Sequence, residues 1–407
     1  MDKKRLKYVI LGACCSAIFW PGTLVFGLPG IMSRYWQTAF SVGPAEVGQI
    51  FFFILVPTGI FMFLVGRLLE QWKPGWFMGI GVLICAGTTV LLPLSWSFSG
   101  VYVWAFIMSG STAMIYITGL TVVQNWFPDR RGLVSGLFNM SFGVSAALLS
   151  PVYNFILDAF AYHWVTTGAA LCTLIFGLIP AGLIRFPLPS EIPTSGGQSP
   201  IMPNSRPSSM TMFESLKTRS FWGLWFTWAF AGAAGISMVI LSTAFGKTRG
   251  LSSHEAVLLL TAFNLTNGTS RVISGYLSDY IGRKRTLTLS FAMAGAAYFC
   301  ITQTGSLTIW LALFAAIGYA FGTLFSVSAP LVGDCFGMDH FGSIIGLIFT
   351  AYGFVAGIIG PWFTGRLLDI TGGNFTVIFS YLGVLMLSAA VLIQITKPET
   401  ECILPVR

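Results

Sequence analysis

Charged side chains are scarce in this chain of 407 residues, because Asp, Glu, Lys and Arg together make up only 9% of it. Soluble globular domains carry about 25%. The sequence also has no Walker loop, no dinucleotide-binding fingerprint and no nucleophile elbow. Its three histidines lie in predicted loops without metal-ligand spacing, and its seven cysteines form no CxxC pair. These absences exclude an ordinary cytosolic enzyme, and we expect neither catalysis nor a cofactor nor a metal site.

Apolar residues make up 55% of the chain and are arranged in long runs. A run of 18 or more residues can cross a hydrocarbon core of about 30 Å as a helix that rises about 1.5 Å per residue. The sequence therefore predicts an all-α membrane protein with twelve transmembrane helices. Their expected positions are residues 8-33, 47-66, 76-95, 102-127, 132-157, 164-186, 220-245, 256-278, 286-303, 308-333, 341-365 and 375-396.

The basic residues lie in short clusters between the apolar runs and form no long stripe, which argues against a nucleic-acid partner despite a net charge of +8. With the N-terminus inside, seventeen of the 22 Lys and Arg residues fall on the cytoplasmic side and four on the other. This distribution follows the positive-inside rule. It predicts that both termini are cytoplasmic. The basic N-terminus resembles a signal peptide, but the uncharged run after it is too long, so we expect it to be the first transmembrane helix.

Residues 187-218 interrupt the pattern with six prolines among Ser and Gly, a composition that buries no core. We interpret them as a cytoplasmic linker between an N-terminal six-helix bundle, residues 1-186, and a C-terminal six-helix bundle, residues 219-407.

The two halves repeat each other at constant offsets. Two sets of residues recur: Gly132, Gly136, Gly143 and Pro151 as Gly342, Gly346, Gly353 and Pro361, and Glu46, Gly59, Gly66 and Glu70 as Glu255, Gly268, Gly275 and Asp279. The glycine pairs four residues apart are small-xxx-small motifs, which allow helices to pack closely. Parallel repeats of this kind predict a substrate site near the membrane midplane between the halves.

The loop after the eighth predicted helix, Gly275-Tyr-Leu-Ser-Asp-Tyr-Ile-Gly-Arg-Lys-Arg285, resembles a signature of the major facilitator superfamily. The first-half copy is degenerate but keeps an acid, Glu70. The resemblance implies two pseudo-symmetric six-helix bundles and a charge lock between helix ends that opens and closes during alternating access. The residues assigned to this lock are Asp279, Arg283, Glu70, Arg130 and Arg131.

A second segment, Asn125-Trp-Phe-Pro-Asp-Arg-Arg-Gly-Leu-Val-Ser-Gly136, is similar to the corresponding loop of monocarboxylate transporters and oxalate/formate antiporters. The resemblance implies a secondary transporter of short-chain monocarboxylates of the lactate and pyruvate type, coupled to protons by symport. Exchange of carboxylates, as in the oxalate/formate antiporters, is the alternative. Enzymes and channels are rival classes, but the sequence has neither an enzyme motif nor a ring of charges for a filter.

Arg271 is the one basic residue that lies away from the ends of a predicted span. A charge at a helix centre costs roughly 2.5 to 3.5 kcal/mol on insertion scales, so such residues usually face a bundle interior or a cavity. A guanidinium meets a carboxylate with two parallel hydrogen bonds. Polar residues spaced by three and four, including Asn267, share its helical face. We expect Arg271 and Asn267 to bind the substrate. The alternatives are that Arg271 snorkels to the cytoplasmic helix end and that Asn267 only bonds a neighbouring helix.

Aromatic residues at mid-helix positions, Tyr116, Phe325, Phe349 and Tyr352, are candidates for the walls of the pocket, with helix packing as the alternative, and Asn139 is assigned to the same site. In the resembling oxalate/formate antiporters a Lys stands at the position of Tyr352. Because a dianion needs two fixed positive charges and Arg271 is alone, the sequence favours a substrate with one carboxylate.

The resemblance leaves proton coupling without an assigned carrier. Mammalian-type monocarboxylate transporters pair their Arg with an Asp at the position of Asn267 and use a Lys in the first helix, which this sequence lacks. We expect a proton to accompany the substrate, and we expect a functional monomer in a bacterial inner membrane.

Overall fold

The computed structural model describes residues 3–191 and 209–397, which form helices and connecting turns without β-strands. The helices are α1 (Lys3–Phe26), α2 (Leu28–Phe40), α3 (Pro44–Gly48), α4 (Ile50–Leu69), α5 (Pro74–Leu91), α6 (Phe98–Trp126), α7 (Arg131–Ala159), α8 (Tyr162–Leu183), α9 (Met212–Leu216), α10 (Arg219–Thr248), α11 (Ser253–Ile281), α12 (Arg283–Ile301), α13 (Leu307–Phe336), α14 (Phe341–Thr350), α15 (Phe363–Ile370) and α16 (Phe375–Leu392). The all-helical fold class is confirmed.

Helices occupy all twelve predicted spans, and in the described residues ten helical segments are long and apolar enough to cross a membrane. The other two predicted spans correspond to α11 and α12. The first carries the polar residues around Arg271 on one face, and the second begins with three basic residues. Their lower hydropathy follows from those side chains, several of which are buried inside the protein, as Arg271 and Ser274 are.

The first apolar segment is longer than predicted, because it continues to Phe40 instead of ending near residue 33. It is interrupted at Gly27, between α1 and α2. Pro29, in the first turn of α2, has no N–H to give to the preceding helix, so the hydrogen-bond ladder breaks there. Arg34 lies inside α2 and does not mark the end of the helix.

The predicted linker is only partly described, since residues 192–208, which include Pro193, Pro200, Pro203 and Pro207, lie outside the described residues. The end of the predicted linker is helical. Thr211 accepts a hydrogen bond from the backbone of Glu214 and the Glu214 side chain bonds back, so that a capping box starts α9.

The chain divides into two compact units. The first comprises Met1–Asp129, Leu137–Ser209 and Met338–Gly346, and the second comprises Arg130–Gly136, Met210–Gly337 and Leu347–Arg407.

Glycines bring helices close together inside each unit, as the small-xxx-small motifs predict. In the second unit, a Cβ on Gly136 would lie 2.1 Å from the carbonyl oxygen of Arg271. In the first unit, a Cβ on Gly346 would lie 2.2 Å from the carbonyl oxygen of Met62. Backbone atoms fill both places, so a side chain at either glycine would separate the helices. This confirms the predicted role of both motifs in close helix packing.

The chain after α14 departs from α-helical geometry. Residues Ala351–Ala356 and Ile358–Trp362 are π-helical and lead into α15. Pro361 removes one backbone donor from this stretch. π-Helical turns occur frequently at functional sites, and this one holds Tyr352.

Candidate functional site

The site around Arg271 depends on how closely α11 and α13 pack in the second unit. Gly318 and Gly322 face the backbone of α11. A Cβ on Gly318 would lie 2.1 Å from the carbonyl oxygen of Phe263, and one on Gly322 would lie 2.2 Å from that of Asn267. The next turn of α13 therefore lies over the next turn of α11. This arrangement places Phe325 against Arg271.

Arg271 is only 5% exposed. Its guanidinium carbon lies 5.0 Å from the centroid of the Phe325 ring, within the range of a cation–π interaction. Its Nη2 donates to Oδ1 of Asn267 at 3.4 Å. Asn267 lies one turn toward the N-terminus of α11, away from the helix end at Ile281. The side chain of Arg271 thus points into the protein and does not snorkel.

Asn267 is half-buried and bonds Arg271 on its own helix. Because its amide oxygen accepts from Arg271, its NH₂ group is left as a donor beside the guanidinium. The two side chains together present several N–H donors in one place, which is the chemistry that binds a carboxylate.

Three predicted aromatic residues come together beside Arg271. The Phe325 ring lies 5.6 Å from that of Tyr352 and 6.3 Å from that of Phe349, both in near edge-to-face or tilted arrangements. Phe349 and Tyr352 are almost completely buried, with 4% and 8% exposure. The structure therefore groups five of the seven predicted substrate-binding residues in one unit.

Trp228 on α10 completes this group, and the sequence reasoning missed it. Its ring centroid lies 4.4 Å from that of Phe349, 5.1 Å from that of Phe325 and 5.9 Å from that of Tyr352. Gly232, one turn later, makes room for Tyr352, since its Cβ would lie 2.8 Å from the tyrosine ring. The sequence signal was a Trp in mid-run followed four residues later by Gly, which is too common in membrane helices to single out.

The remaining two predicted residues, Tyr116 and Asn139, form a pair in the first unit. The Tyr116 hydroxyl donates to Oδ1 of Asn139 at 2.6 Å, and the two residues are 2% and 0% exposed. The Tyr116 ring also packs against Phe138 and Phe142 on α7. Their pairing was not predicted, and a role in substrate binding stays a prediction.

The predicted charge lock has a clear geometry in the second unit. The two carboxylate oxygens of Asp279 accept the backbone N–H groups of Gly132 and Leu133, each at 2.9 Å. Asp279 also forms a salt bridge with Arg283. A carboxylate at the first turn of α7 satisfies backbone donors that no helical carbonyl reaches, and it interacts favourably with the helix dipole.

Asp334, near the end of α13, extends this network and was not assigned to it from the sequence. It accepts from Arg283 at 3.3 Å and from Arg131 at 3.4 Å. Arg130 is exposed and makes no salt bridge within residues 3–191 and 209–397. Arg131, and not Arg130, is thus connected through Asp334 to Arg283, which in turn pairs with Asp279.

Glu70, the first-half acid, makes a different set of contacts in the first unit. Its carboxylate bonds the hydroxyl of Ser343 and lies 3.0 Å from Nδ1 of His340. Ser343 follows Gly342, the repeat equivalent of Gly132. A hydroxyl and an imidazole therefore take the place that backbone N–H groups and arginine occupy around Asp279.

A surface cleft of about 540 Å³ lies elsewhere, between the ends of α2 and α6, and is lined by residues such as Glu46, Trp96 and Tyr102. It contains none of the predicted substrate-binding residues. Since it holds no cationic side chain among its lining residues, we do not regard it as a carboxylate site.

Comparison with known proteins agrees with the geometry. The family model of the Major Facilitator Superfamily matches residues 9–257 and 229–402. The chain belongs to the Major Facilitator Superfamily. It is therefore a multi-pass membrane transporter that moves small substrates, and not an enzyme. The proton:xylose symporter XylE has the same fold, with a TM-score of 0.70 at 14% identity over 96% of this chain and 95% of that one.

Several curated relatives are transporters of carboxylates by name. The oxalate:formate antiporter of Oxalobacter formigenes is 25% identical over 67% of this chain, and the alignment spans 63% of the antiporter. Human monocarboxylate transporter 11 is 26% identical over 68% of this chain and 59% of its own length. The probable galactarate/D-glucarate transporter GarP of Escherichia coli K12 is 23% identical over 74% of this chain and 73% of its own length.

Proposed function

We propose that this protein is a secondary active transporter of short-chain monocarboxylates of the lactate and pyruvate type, which it moves together with a proton by alternating access. The observation that carries the proposal is the buried guanidinium of Arg271, held by Asn267 and Phe325 among aromatic rings. One fixed positive charge matches one carboxylate, and in a dry site the two charges stabilise each other strongly. The names of the relatives support carboxylates as the wider substrate class, since they include oxalate, formate, monocarboxylates and galactarate/D-glucarate.

Aromatic walls suit a small acid with a short apolar chain. The rings of Trp228, Phe325, Phe349 and Tyr352 exclude water around the cation and contact the methyl group of such a substrate. A substrate with a second carboxylate would need a second cation, and Tyr352 stands where a resembling antiporter has Lys.

Symport is proposed on the resemblance to monocarboxylate transporters. Because anion and proton together carry no net charge, the membrane potential would neither drive nor oppose transport, and the gradients of the proton and of the acid would supply the free energy. The carrier of the proton is not assigned, since Arg271 cannot release one. We further propose a monomer in a bacterial inner membrane, with both termini in the cytoplasm and bundles formed by residues 1-186 and 219-407.

The test is uptake of radiolabelled lactate into proteoliposomes with an imposed inward proton gradient. We expect uptake in the wild type and its loss in Arg271→Ala, because truncating one partner of a buried charge pair costs about 2 to 5 kcal/mol, roughly 30-fold to several thousand-fold in affinity. Arg271→Lys keeps the charge but loses the planar fork, so we expect a smaller defect. Arg366→Ala removes an exposed arginine of the same unit and is the matched control.

The second candidate function is carboxylate exchange, which the similarity to the oxalate:formate antiporter favours. Uptake that requires internal carboxylate and ignores the proton gradient would replace symport by exchange. Uptake that is unchanged in Arg271→Ala would overturn the assignment of the site itself.

A further inference from the structure

The aromatic group beside Arg271 contains a polar atom that the protein does not satisfy. Trp228 is 1% exposed, and its indole N–H has no hydrogen-bond partner among the described residues. Two other tryptophans of the same unit, the buried Trp310 and the half-buried Trp225, do have partners. Trp310 donates to the carbonyl of Ile301 at 2.8 Å, and Trp225, one turn before Trp228, donates to Thr350 at 3.0 Å.

A buried donor without an acceptor destabilises the folded protein, so an unsatisfied donor at this position indicates a role other than stability. A Phe would fill most of the same space without an N–H group. The location gives the reason, because the Trp228 ring contacts Phe325, which also contacts the guanidinium of Arg271. The ring that carries the unsatisfied donor and the cation proposed to hold the carboxylate therefore contact the same phenyl ring.

We propose that the Trp228 N–H donates to the oxygen on carbon 2 of a bound 2-hydroxy or 2-oxo monocarboxylate. This inference rests on the proposed function. Arg271 and Asn267 bind the carboxylate, which lactate shares with every short fatty acid. Trp228 recognises the oxygen that lactate and pyruvate carry and propionate does not.

The expected selectivity rests on the free-energy difference between a buried N–H that has an acceptor and one that has none. With a 2-oxygenated acid the N–H gains an acceptor, whereas with propionate it stays desolvated and unsatisfied. Sites that hydrogen-bond a substrate oxygen reject analogues without it for this reason. A net hydrogen bond is worth about 0.5 to 1.5 kcal/mol, which corresponds to about 2-fold to 13-fold in affinity.

The experiment compares KM for radiolabelled L-lactate and propionate in proteoliposomes of wild type, Trp228→Phe and Trp310→Phe. We expect the wild type to favour lactate by about tenfold, and Trp228→Phe to bring the ratio of the two KM values toward one, because only lactate loses a hydrogen bond. Trp310→Phe removes an N–H whose partner is within the protein, so it should keep the wild-type ratio.

Nuclear magnetic resonance gives a second readout that does not depend on transport. In protein labelled with ¹⁵N-tryptophan, the indole resonance that is missing from Trp228→Phe should shift with lactate and not with propionate. Equal KM values for the two acids in the wild type, or an equal loss of both in Trp228→Phe, would overturn the inference. Failure of the proposed function is distinguished from this, because then neither acid is transported in a manner that depends on Arg271.

Discussion

Replacing Asp279 by Asn tests whether the network at the start of α7 stabilises the second unit. The wild-type carboxylate accepts hydrogen bonds from two backbone N–H groups and forms a salt bridge with Arg283, and the Asp279 side chain is 6% exposed. Asn keeps one acceptor oxygen and turns an NH₂ group toward the other donor. The change therefore leaves Gly132 or Leu133 with an unsatisfied N–H and removes the negative charge at the first turn of the helix.

The expected cost follows from those two losses. A hydrogen bond to a charged group is worth about 1.5 to 3 kcal/mol, and a charge at a helix terminus about 0.3 to 1 kcal/mol, with higher values in partly buried positions. Arg283 keeps Asp334 as a partner, which reduces the loss. The total is about 3 kcal/mol, at the lower end of what breaking a buried ion pair costs.

The assay is equilibrium unfolding in mixed micelles, followed by the loss of the helical circular dichroism signal as denaturant is added. Asp369→Asn removes an exposed carboxylate from α15 of the same unit and should change the free energy of unfolding by less than about 0.5 kcal/mol. A cost for Asp279→Asn as small as that of the control would refute the reasoning, because the carboxylate would then contribute nothing beyond a surface charge.

Two further predictions use the same assay. Hydrogen bonds from the side chain and backbone of Ser252 lower the pKa of Glu255 in the folded protein. The stabilisation that its carboxylate provides is therefore fully present above the pKa of Glu in the unfolded chain, and it is lost as the pH falls through the lowered pKa of the folded state. The difference in the free energy of unfolding between wild type and Glu255→Ala should shrink below about pH 4. A difference that stays constant from pH 6 to pH 3 would contradict this. Gly346→Ala should destabilise the protein by about 1 to 3 kcal/mol, because the added Cβ meets the carbonyl oxygen of Met62. Gly268→Ala is the control and should be tolerated, because its Cβ enters open space. Equal effects of the two substitutions would contradict the prediction.

The glycine motifs show how far pattern reasoning extends to tertiary contacts. A glycine every fourth residue indicates that some backbone approaches closely, and the prediction of close packing was right for both repeats. The partner backbone was not predictable, because any helix with a flat face satisfies the pattern equally well. That Gly136 meets the backbone of Arg271 is known only from the structure.

The candidate site likewise has one feature that the sequence predicts and others that only the structure shows. The position of Arg271 in an apolar run indicated an unusual charge whatever the fold. Its orientation toward Asn267 and Phe325, and the place of Trp228 beside them, depend on the spacing of α10, α11 and α13. The network around Asp334 needed the structure for the same reason, since Arg131 and Arg283 are far from it in sequence.

The sequence by itself determined the all-helical membrane fold, the internal repeat and the presence of one buried cation. These properties follow from local rules, because hydrophobic length, charge placement and residue spacing are read along one chain. Only the tertiary structure decided which side chains surround Arg271, which acids bond which arginines, and where the helices bend or become π-helical. Those outcomes depend on packing between segments distant in sequence, and many arrangements of twelve helices satisfy the same local pattern.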